Sequence, residues 1–385
     1  MMPSKPQFVG ERVKLGDVVA AVPGRNADLH CNAVYSVTNS QGFVPSEEYF
    51  SKDVFSKDLK SYRVVKRNMI AYNPSRINVG SVALQDKEDE VVVSPLYVIF
   101  STDERKVLPD YVVRFLKSKP GLDQIAFRSI GTVRNNLKFK ALCQMTIKLP
   151  SLGEQQSRLS NLRSIQNQID RANRQLAALD SLVKSRFVEM FGRLDANPKE
   201  FNVVSFSDLG SWTSGGTPSR KNPDYFEGDI DWYSAGELDS LYLKNSKEKI
   251  TALAIEESSA KLFAAGSLLV GMYDTAALKL GIATKQCSSN QACANLEPNE
   301  AVNLVWLYFA IVQLKPILLS ERSGCRQKNL SLRKIKSFEL PLPPLPLQQE
   351  FADFVAQVDK SRFIAQQQIE KLQMLYDSLA QEYFE

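Results

Sequence analysis

The 385-residue chain contains a single histidine, His30, and its five cysteines include no Cys-x-x-Cys pair. This composition argues against a zinc site and a histidine-based catalytic triad. The longest uninterrupted apolar run, Leu304 to Val312, has nine residues. A helix that spans a bilayer needs about 20. Glu11 and Arg12 interrupt the only stretch that could be a signal peptide. We therefore expect a cytoplasmic protein with reduced thiols and no contact with a membrane.

Motifs of common catalytic sites are also absent from the sequence. The segment Gly266–Gly271 has the glycine spacing of a phosphate-binding loop, but Met272 stands where that loop requires lysine. No glycine-rich S-adenosylmethionine loop and no acidic nuclease cluster is present. What the sequence does have is the composition of a folded protein, with 44% apolar and 24% charged residues. Its net charge of +5 permits an anionic partner such as nucleic acid.

The second half of the chain repeats the first. A shift of 193 residues aligns Gly131–Phe191 with Gly324–Phe384 without a gap and gives 15 identities in 61 positions. Chance would give roughly four. A weaker match, farther upstream, relates Lys14–Val18 to Ser205–Leu209. The longer match crosses loop, proline-containing boundary and helix, so we interpret the chain as two copies of one unit.

Each copy is predicted to end in a long amphipathic helix. Apolar residues recur at spacings that alternate mostly between three and four, which is typical of a coiled-coil seam. The seam residues are Ile165, Ile169, Leu176, Leu179, Val183, Val358, Ile369, Leu372 and Tyr376. A helix of roughly 38 residues measures about 57 Å. With one apolar stripe it needs a partner, which we expect to be the helix of the other copy. Arg362 replaces an apolar seam residue, so we expect the seam there to fray or the arginine to reach solvent.

Short apolar runs separated by turn residues predict small sheets, and so an α+β fold, in both globular parts. Predicted strands include Met69–Tyr72, Leu96–Phe100, Ile230–Tyr233 and Ser267–Val270, and predicted helices include Tyr111–Leu116 and Leu304–Lys315. We predict globular domains at residues 1–150 and 194–345 and spacer helices at residues 151–193 and 346–385. Pairing as an antiparallel coiled coil, these helices would hold the domains apart and give the monomer a pseudo-two-fold axis.

Two basic stretches, 127–140 and 320–336, are candidates for binding and occupy the same place in each copy. Both mix cations, which suit phosphates and guanine edges, with amides, which suit adenine edges. The loop 214–221, whose glycines would allow close backbone approach, is a further candidate, and we take the loop 73–80 as its counterpart. Solvated surface loops have a similar composition, but the recurrence favours binding. The candidate DNA-binding residues are Arg76, Asn78, Arg128, Arg134, Asn135, Lys138, Thr217, Ser219, Arg220, Lys221, Arg322, Arg326, Gln327 and Lys328.

One segment of the second copy resembles a known family. It runs Trp212-Thr-Ser-Gly-Gly-Thr-Pro-Ser-Arg-Lys-Asn-Pro-Asp-Tyr-Phe-Glu-Gly-Asp-Ile-Asp-Trp232. This resembles the target recognition domain signature of the specificity (S) subunit of Type I restriction–modification enzymes. The junctions Leu340-Pro-Leu-Pro-Pro-Leu345 with Gln348-Gln349, and Leu149-Pro-Ser-Leu152 with Gln155-Gln156, are similar to the domain-to-helix junctions of that family. The first copy lacks the Gly-Gly-Thr-Pro motif.

The resemblance implies a host-defence protein that has no catalysis of its own and binds no cofactor. Each target recognition domain would read one half of a bipartite, asymmetric site in double-stranded DNA. Two methyltransferase (M) subunits would supply S-adenosylmethionine and DNA methylation. Restriction (R) subunits would supply ATP hydrolysis with Mg, and cleavage.

Two other classes of function stay open at this point. The chain could be a coiled-coil scaffold that joins partners without reading DNA, against which the recurring basic stretches argue. It could also be a methyltransferase or nuclease itself, against which the missing catalytic motifs argue.

Overall fold

The computed structural model describes residues 10–49, 58–129, 136–320 and 329–385. The chain forms two compact units: unit 1 is residues 1–173 with 366–385, and unit 2 is residues 174–365. Each unit thus contains one globular part and a segment of both long helices. No helix in the described ranges has the length and apolar content to cross a bilayer.

The first copy contains ten strands and five helices in the part of the chain that the structure describes. In chain order they are β1 Glu11–Lys14, β2 Val19–Ala21, β3 Tyr35–Val37, β4 Phe43–Pro45, α1 Ser46–Tyr49, β5 Arg63–Lys66, β6 Ile70–Tyr72, β7 Val82–Leu84, β8 Glu90–Val93, β9 Val98–Thr102, α2 Pro109–Lys117, α3 Lys119–Arg128, α4 Phe139–Leu142, β10 Thr146–Leu149 and α5 Leu152–Phe191.

The second copy continues with nine strands and four helices among the described residues. They are β11 Asn202–Ser205, β12 Gly210–Ser214, β13 Ile230–Tyr233, β14 Glu248–Ile250, α6 Ala252–Glu256, β15 Leu268–Gly271, β16 Leu280–Ile282, β17 Cys287–Ser289, β18 Cys293–Pro298, α7 Leu304–Ser320, α8 Leu332–Lys336, β19 Glu339–Leu342 and α9 Leu345–Phe384. The predicted strands and helices therefore exist, with several boundaries shifted by one or more residues. The strand predicted to begin at Leu96 begins at Val98, because a turn from Ser94 to Tyr97 precedes it.

Both units contain the same four-stranded antiparallel sheet. The strand order is β2-β9-β6-β7 in unit 1 and β12-β18-β15-β16 in unit 2. A two-stranded pair, β1 with β10 and β11 with β19, lies beside the start of each long helix. The segments Lys14–Val18 and Ser205–Leu209, which match weakly in sequence, contain the same hydrogen bond. Lys14 N donates to Asp17 Oδ2 at 3.2 Å, and Ser205 N donates to Asp208 Oδ2 at 3.1 Å. The repeat therefore extends through the globular parts.

The remaining strands form a second sheet in each unit, which we call its addition. In unit 1 the antiparallel pairs β3–β4 and β5–β8 are joined by a parallel bridge between Val34 and Val92. In unit 2 the order is β14-β13-β17, in which β13 and β17 are parallel, and an antiparallel bridge joins Phe263 to Cys287 of β17. The two additions therefore share a strand order, and the units differ in the loops and side chains that they present.

The long helices run antiparallel within unit 2. Asp180 of α5 pairs with Arg362 of α9 at 2.6 Å. Arg186, which follows Asp180 in α5, pairs at 3.0 Å with Glu350, which precedes Arg362 in α9. Arg362 therefore neither frays the helix nor extends freely into water. It bridges the helices and also pairs with Asp359 at 2.7 Å.

The predicted seam residues differ in burial. Four are buried: Ile165, Ile169, Val183 and Val358. The others are half-buried: Leu176, Leu179, Ile369, Leu372 and Tyr376. In each unit the helices also contribute to the domain core. In unit 1, Leu159 of α5 and Phe384 of α9 pack with α2, and in unit 2, Phe187 of α5 and Phe351 of α9 pack with α7.

A buried glutamine joins each long helix to its globular part. Gln155 accepts a hydrogen bond from Leu108 N and donates to Lys106 O and Pro150 O, all at 2.9 Å. Gln348, at the same place in the repeat, accepts from Asn303 N at 2.8 Å and donates to Ala301 O at 3.1 Å and Pro343 O at 2.8 Å. Both side chains are fully buried. Each amide thus satisfies backbone groups that precede α2 or α7 and the start of its own helix.

We predict that Gln155→Ala destabilises unit 1, because it leaves buried backbone groups of Leu108, Lys106 and Pro150 without partners. The free energy of unfolding should fall by about 2 kcal/mol or more. Hydrogen–deuterium exchange at the Leu108 amide measures this directly and should become faster. Gln156→Ala is the matched control, because Gln156 is the next residue of the same helix and is exposed. Equal exchange in the two variants would contradict a structural role for the buried amide.

Candidate nucleic-acid interface

In unit 1 the loop after β6 and Leu137 of the first basic stretch lie together. Leu137 N donates to Pro74 O at 3.0 Å, and the Tyr72 hydroxyl donates to Leu137 O at 3.0 Å. Burial raises the pKa of Tyr72, so this hydroxyl stays protonated and remains a donor. The two segments border a groove of 470 Å³ lined by Asn73, Pro74, Ser75, Arg76, Leu96 and Asn136.

Of the predicted residues in unit 1, the structure brings Arg76 to the groove and places Asn78 on the same loop. Both side chains are exposed. Lys138 is exposed just before α4. Arg128 is engaged elsewhere, because its Nη2 donates to Gln144 O at 3.2 Å. The predicted residues Arg134 and Asn135 lie outside the described residues.

Unit 2 has the same junction at the loop after β15. Leu330 N donates to Met272 O at 2.8 Å, and Asn329 Oδ1 accepts from Asp274 N at 3.0 Å. The second basic stretch therefore contacts the loop 272–279, as the first contacts the loop 73–80. Its predicted residues Arg322, Arg326, Gln327 and Lys328 lie outside the described residues.

This arrangement corrects the predicted correspondence between loops. In the shared sheet β15 takes the place of β6, so the loop 272–279 is the counterpart of the loop 73–80. The loop 214–221 follows β12, which takes the place of β2. Its counterpart in unit 1 is therefore the segment after Ala21. The sequence could not establish this, because the globular parts share too few residues to align.

The glycines of the loop 214–221 are approached by protein backbone. A Cβ atom on Gly215 would lie 2.3 Å from Ser289 O, and one on Gly216 would lie 2.0 Å from Ser259 O. Gly216 O also accepts a hydrogen bond from Trp232 Nε1 at 3.0 Å. The close approach that these glycines allow is therefore that of the chain's own backbone, at Ser289 and Ser259.

Arg220 is held in place by its neighbours. Its guanidinium makes two hydrogen bonds to Glu248, at 2.6 and 2.8 Å, and lies 4.6 Å from the ring centroid of Phe226. The hydrogen bond from Arg220 lowers the pKa of Glu248, which therefore stays ionised. The Thr217 hydroxyl donates to Gln291 Oε1. Exposed on this loop are Ser219 and Lys221.

The rest of the signature segment also stabilises the fold of unit 2. Asp231 is fully buried, 2.6 Å from Lys285 Nζ and 2.9 Å from Ser246 Oγ. Burial alone would raise the pKa of Asp231, but the hydrogen bonds from Lys285 and Ser246 lower it. Tyr225 and Trp232 lie in the core of the second sheet. No cluster of histidine, cysteine, aspartate and glutamate that could hold a metal ion occurs among the residues that the structure describes.

Comparison with known families agrees with the duplicated scaffold. The chain matches the Type I restriction modification DNA specificity domain twice, over residues 11–180 and 198–374. It belongs to this family. Both matches extend from the first strand of a copy into its long helix.

Curated relatives include two specificity subunits. The chain is 28% identical to the Type I restriction enzyme MjaIX specificity subunit of Methanocaldococcus jannaschii over 188 residues, which is 46% of this chain and 43% of that protein. It is 23% identical to the EcoR124I/EcoR124II specificity subunit of Escherichia coli over 69% of this chain and 67% of that protein. The first match thus spans less than half of the relative.

Solved structures share the fold at low identity. A chain from a structure of a type I R-M system aligns with a TM-score of 0.62 and 16% identity, covering 97% of both chains. The S subunit of a Type-I restriction-modification system from M. genitalium aligns with a TM-score of 0.57 and 13% identity, covering 99% of this chain and 98% of that one. These likenesses establish the α+β fold with two globular domains and two long helices.

We predict that Gly216→Ala destabilises unit 2, because the added methyl group would overlap Ser259 O. Overpacking of this kind costs about 1–3 kcal/mol or more. Thermal unfolding followed by tryptophan fluorescence is a selective measurement, because all three tryptophans of the chain lie in unit 2. The control is Gly236→Ala, also in unit 2, where the nearest atom to an added Cβ would be Ser234 Oγ at 4.0 Å. A midpoint for Gly216→Ala equal to that of the wild type would contradict the close approach.

Proposed function

We propose that the chain is the DNA-reading subunit of a Type I restriction–modification complex. Each globular part reads one half of a bipartite, asymmetric site in double-stranded DNA. The observation that carries the proposal is the recurrence of one scaffold in two globular parts whose loops differ in sequence. Two readers of different sequences need a shared way of joining their partners and different surfaces for their bases.

The charge and position of the basic stretches support a DNA-facing surface. In both units the stretch contacts the loop between two neighbouring scaffold strands, β6 and β7 in unit 1 and β15 and β16 in unit 2. In unit 1 this loop presents Arg76, an exposed cation, beside Asn73 and Asn136 at one groove. Cations fix a protein on phosphates, and amides can read adenine edges.

The chain would position its partners and do no chemistry itself. Two methyltransferase subunits would supply S-adenosylmethionine, and restriction subunits would supply ATP hydrolysis with Mg. The alternative is a coiled-coil scaffold that joins proteins without reading DNA. One observation fits a protein partner in either case: Phe363 and Ile364 of α9 are each 64% exposed.

Binding to duplex DNA at several salt concentrations separates these functions. For a DNA reader with its methyltransferase partner, the logarithm of the association constant should fall linearly with the logarithm of salt concentration. The chain alone should transfer no methyl group. Arg76→Ala should reduce the salt slope by roughly one if Arg76 contacts a phosphate.

The matched control is Arg105→Ala, which removes the same charge beyond the end of β9, whereas the loop of Arg76 lies near the start of β9. Arg105 is exposed and pairs only locally, with Asp103 at 2.9 Å, so its loss should leave the slope unchanged. The absence of salt-sensitive binding to DNA would favour the scaffold. Methyl transfer by the chain alone would contradict the assignment.

A further inference from the structure

One exposed leucine lies at the groove of unit 1. Leu96 is 74% exposed, whereas Val93 and Ile99, in the strands on either side of it, are buried. Its neighbours at the groove include Asn73, Arg76 and Asn136. An apolar side chain in a polar groove has nothing in the described part of unit 1 to cover it.

The turn that presents Leu96 is fixed on both sides. Tyr97 N donates to Ser94 O at 3.1 Å and closes the turn. The Tyr97 hydroxyl accepts from Val37 N at 3.3 Å, which ties the turn to β3. Pro95 restricts the backbone immediately before Leu96. The exposure of Leu96 is therefore a feature of an ordered turn.

The equivalent turn of unit 2 has different chemistry. It joins β17 to β18 as the first joins β8 to β9, and it presents Gln291, an exposed amide that accepts from Thr217. Two turns at one place in the scaffold thus present an aliphatic group in unit 1 and an amide in unit 2. Domains that read different bases need such a difference.

We propose that Leu96 is a specificity-determining residue that reads a thymine through its C5-methyl group. This inference rests on the proposed function. Leucine has no donor or acceptor, so the thymine methyl is the feature of the major groove that it can recognise by direct contact. Arg76 and the two asparagines of the groove would contact phosphates and neighbouring base edges.

The test replaces thymine by uracil, which removes only the methyl group. The site is first mapped by sequencing methylated adenines in DNA treated with the complex of this chain and its methyltransferase partner. Each thymine of the mapped site is then changed singly to deoxyuridine, and the affinity of the complex is measured by fluorescence anisotropy. For the wild type, one such change should lower the affinity about fourfold, as expected for one buried methyl group.

Leu96→Ala should bind the thymine duplex more weakly and should lose the discrimination at that one position. The unfolding midpoint of this variant should equal that of the wild type, because most of the Leu96 side chain is exposed to solvent. The matched control is Leu253→Ala, a 46% exposed leucine of α6 in unit 2, which should keep the discrimination.

Three outcomes would overturn the inference. The wild type could bind every uracil duplex as well as the thymine duplex, or Leu96→Ala could lose the same factor on all duplexes, as a protein-contacting residue would. In both, site-specific binding persists and the proposed function stands. If the wild-type complex has no site-specific binding, the proposed function fails and the inference fails with it.

Discussion

The structure of each unit depends on one buried amide at the start of its long helix. Gln155 and Gln348 each join three backbone groups: one ahead of the helix itself and two that precede the first helix after the central sheet. Leaving such groups unpaired in the interior is costly, so the direction of the helix is fixed relative to the sheet. Any loop built on that sheet is then fixed relative to the helix as well.

This constraint allows one architecture to present two different sets of loops. The four-stranded sheet, the pair beside the helix, the glutamine and the order of the second sheet recur in both units, while the turn tips differ. Changes in the additions leave the junction intact because no addition contributes to it. The same logic accounts for the signature segment, whose glycines and buried Asp231 stabilise the addition of unit 2.

The features that follow a period or a repeat could be predicted from the sequence. The two helices, their antiparallel pairing, the junction prolines and most strands depend on local patterns. The role of Gly215 and Gly216 could not be predicted, because it depends on the backbone of residues far along the chain. The counterpart of the loop 73–80 in unit 2 could not be predicted either, because only the strand order relates the two sheets. The apolar run predicts a strand that begins at Leu96, because the sequence does not distinguish a leucine exposed in a turn from an apolar residue at the start of a strand.

The central claim is that each unit reads its own half of the site. Exchange of residues 1–150 for the corresponding domain of another family member tests it directly, because the remaining junction and unit 2 stay unchanged. Sequencing of methylated adenines in cells that contain the exchanged chain and its methyltransferase partner gives the site. We predict that one half of the site changes and the other persists. If both halves changed, or neither, the two units would not be independent readers.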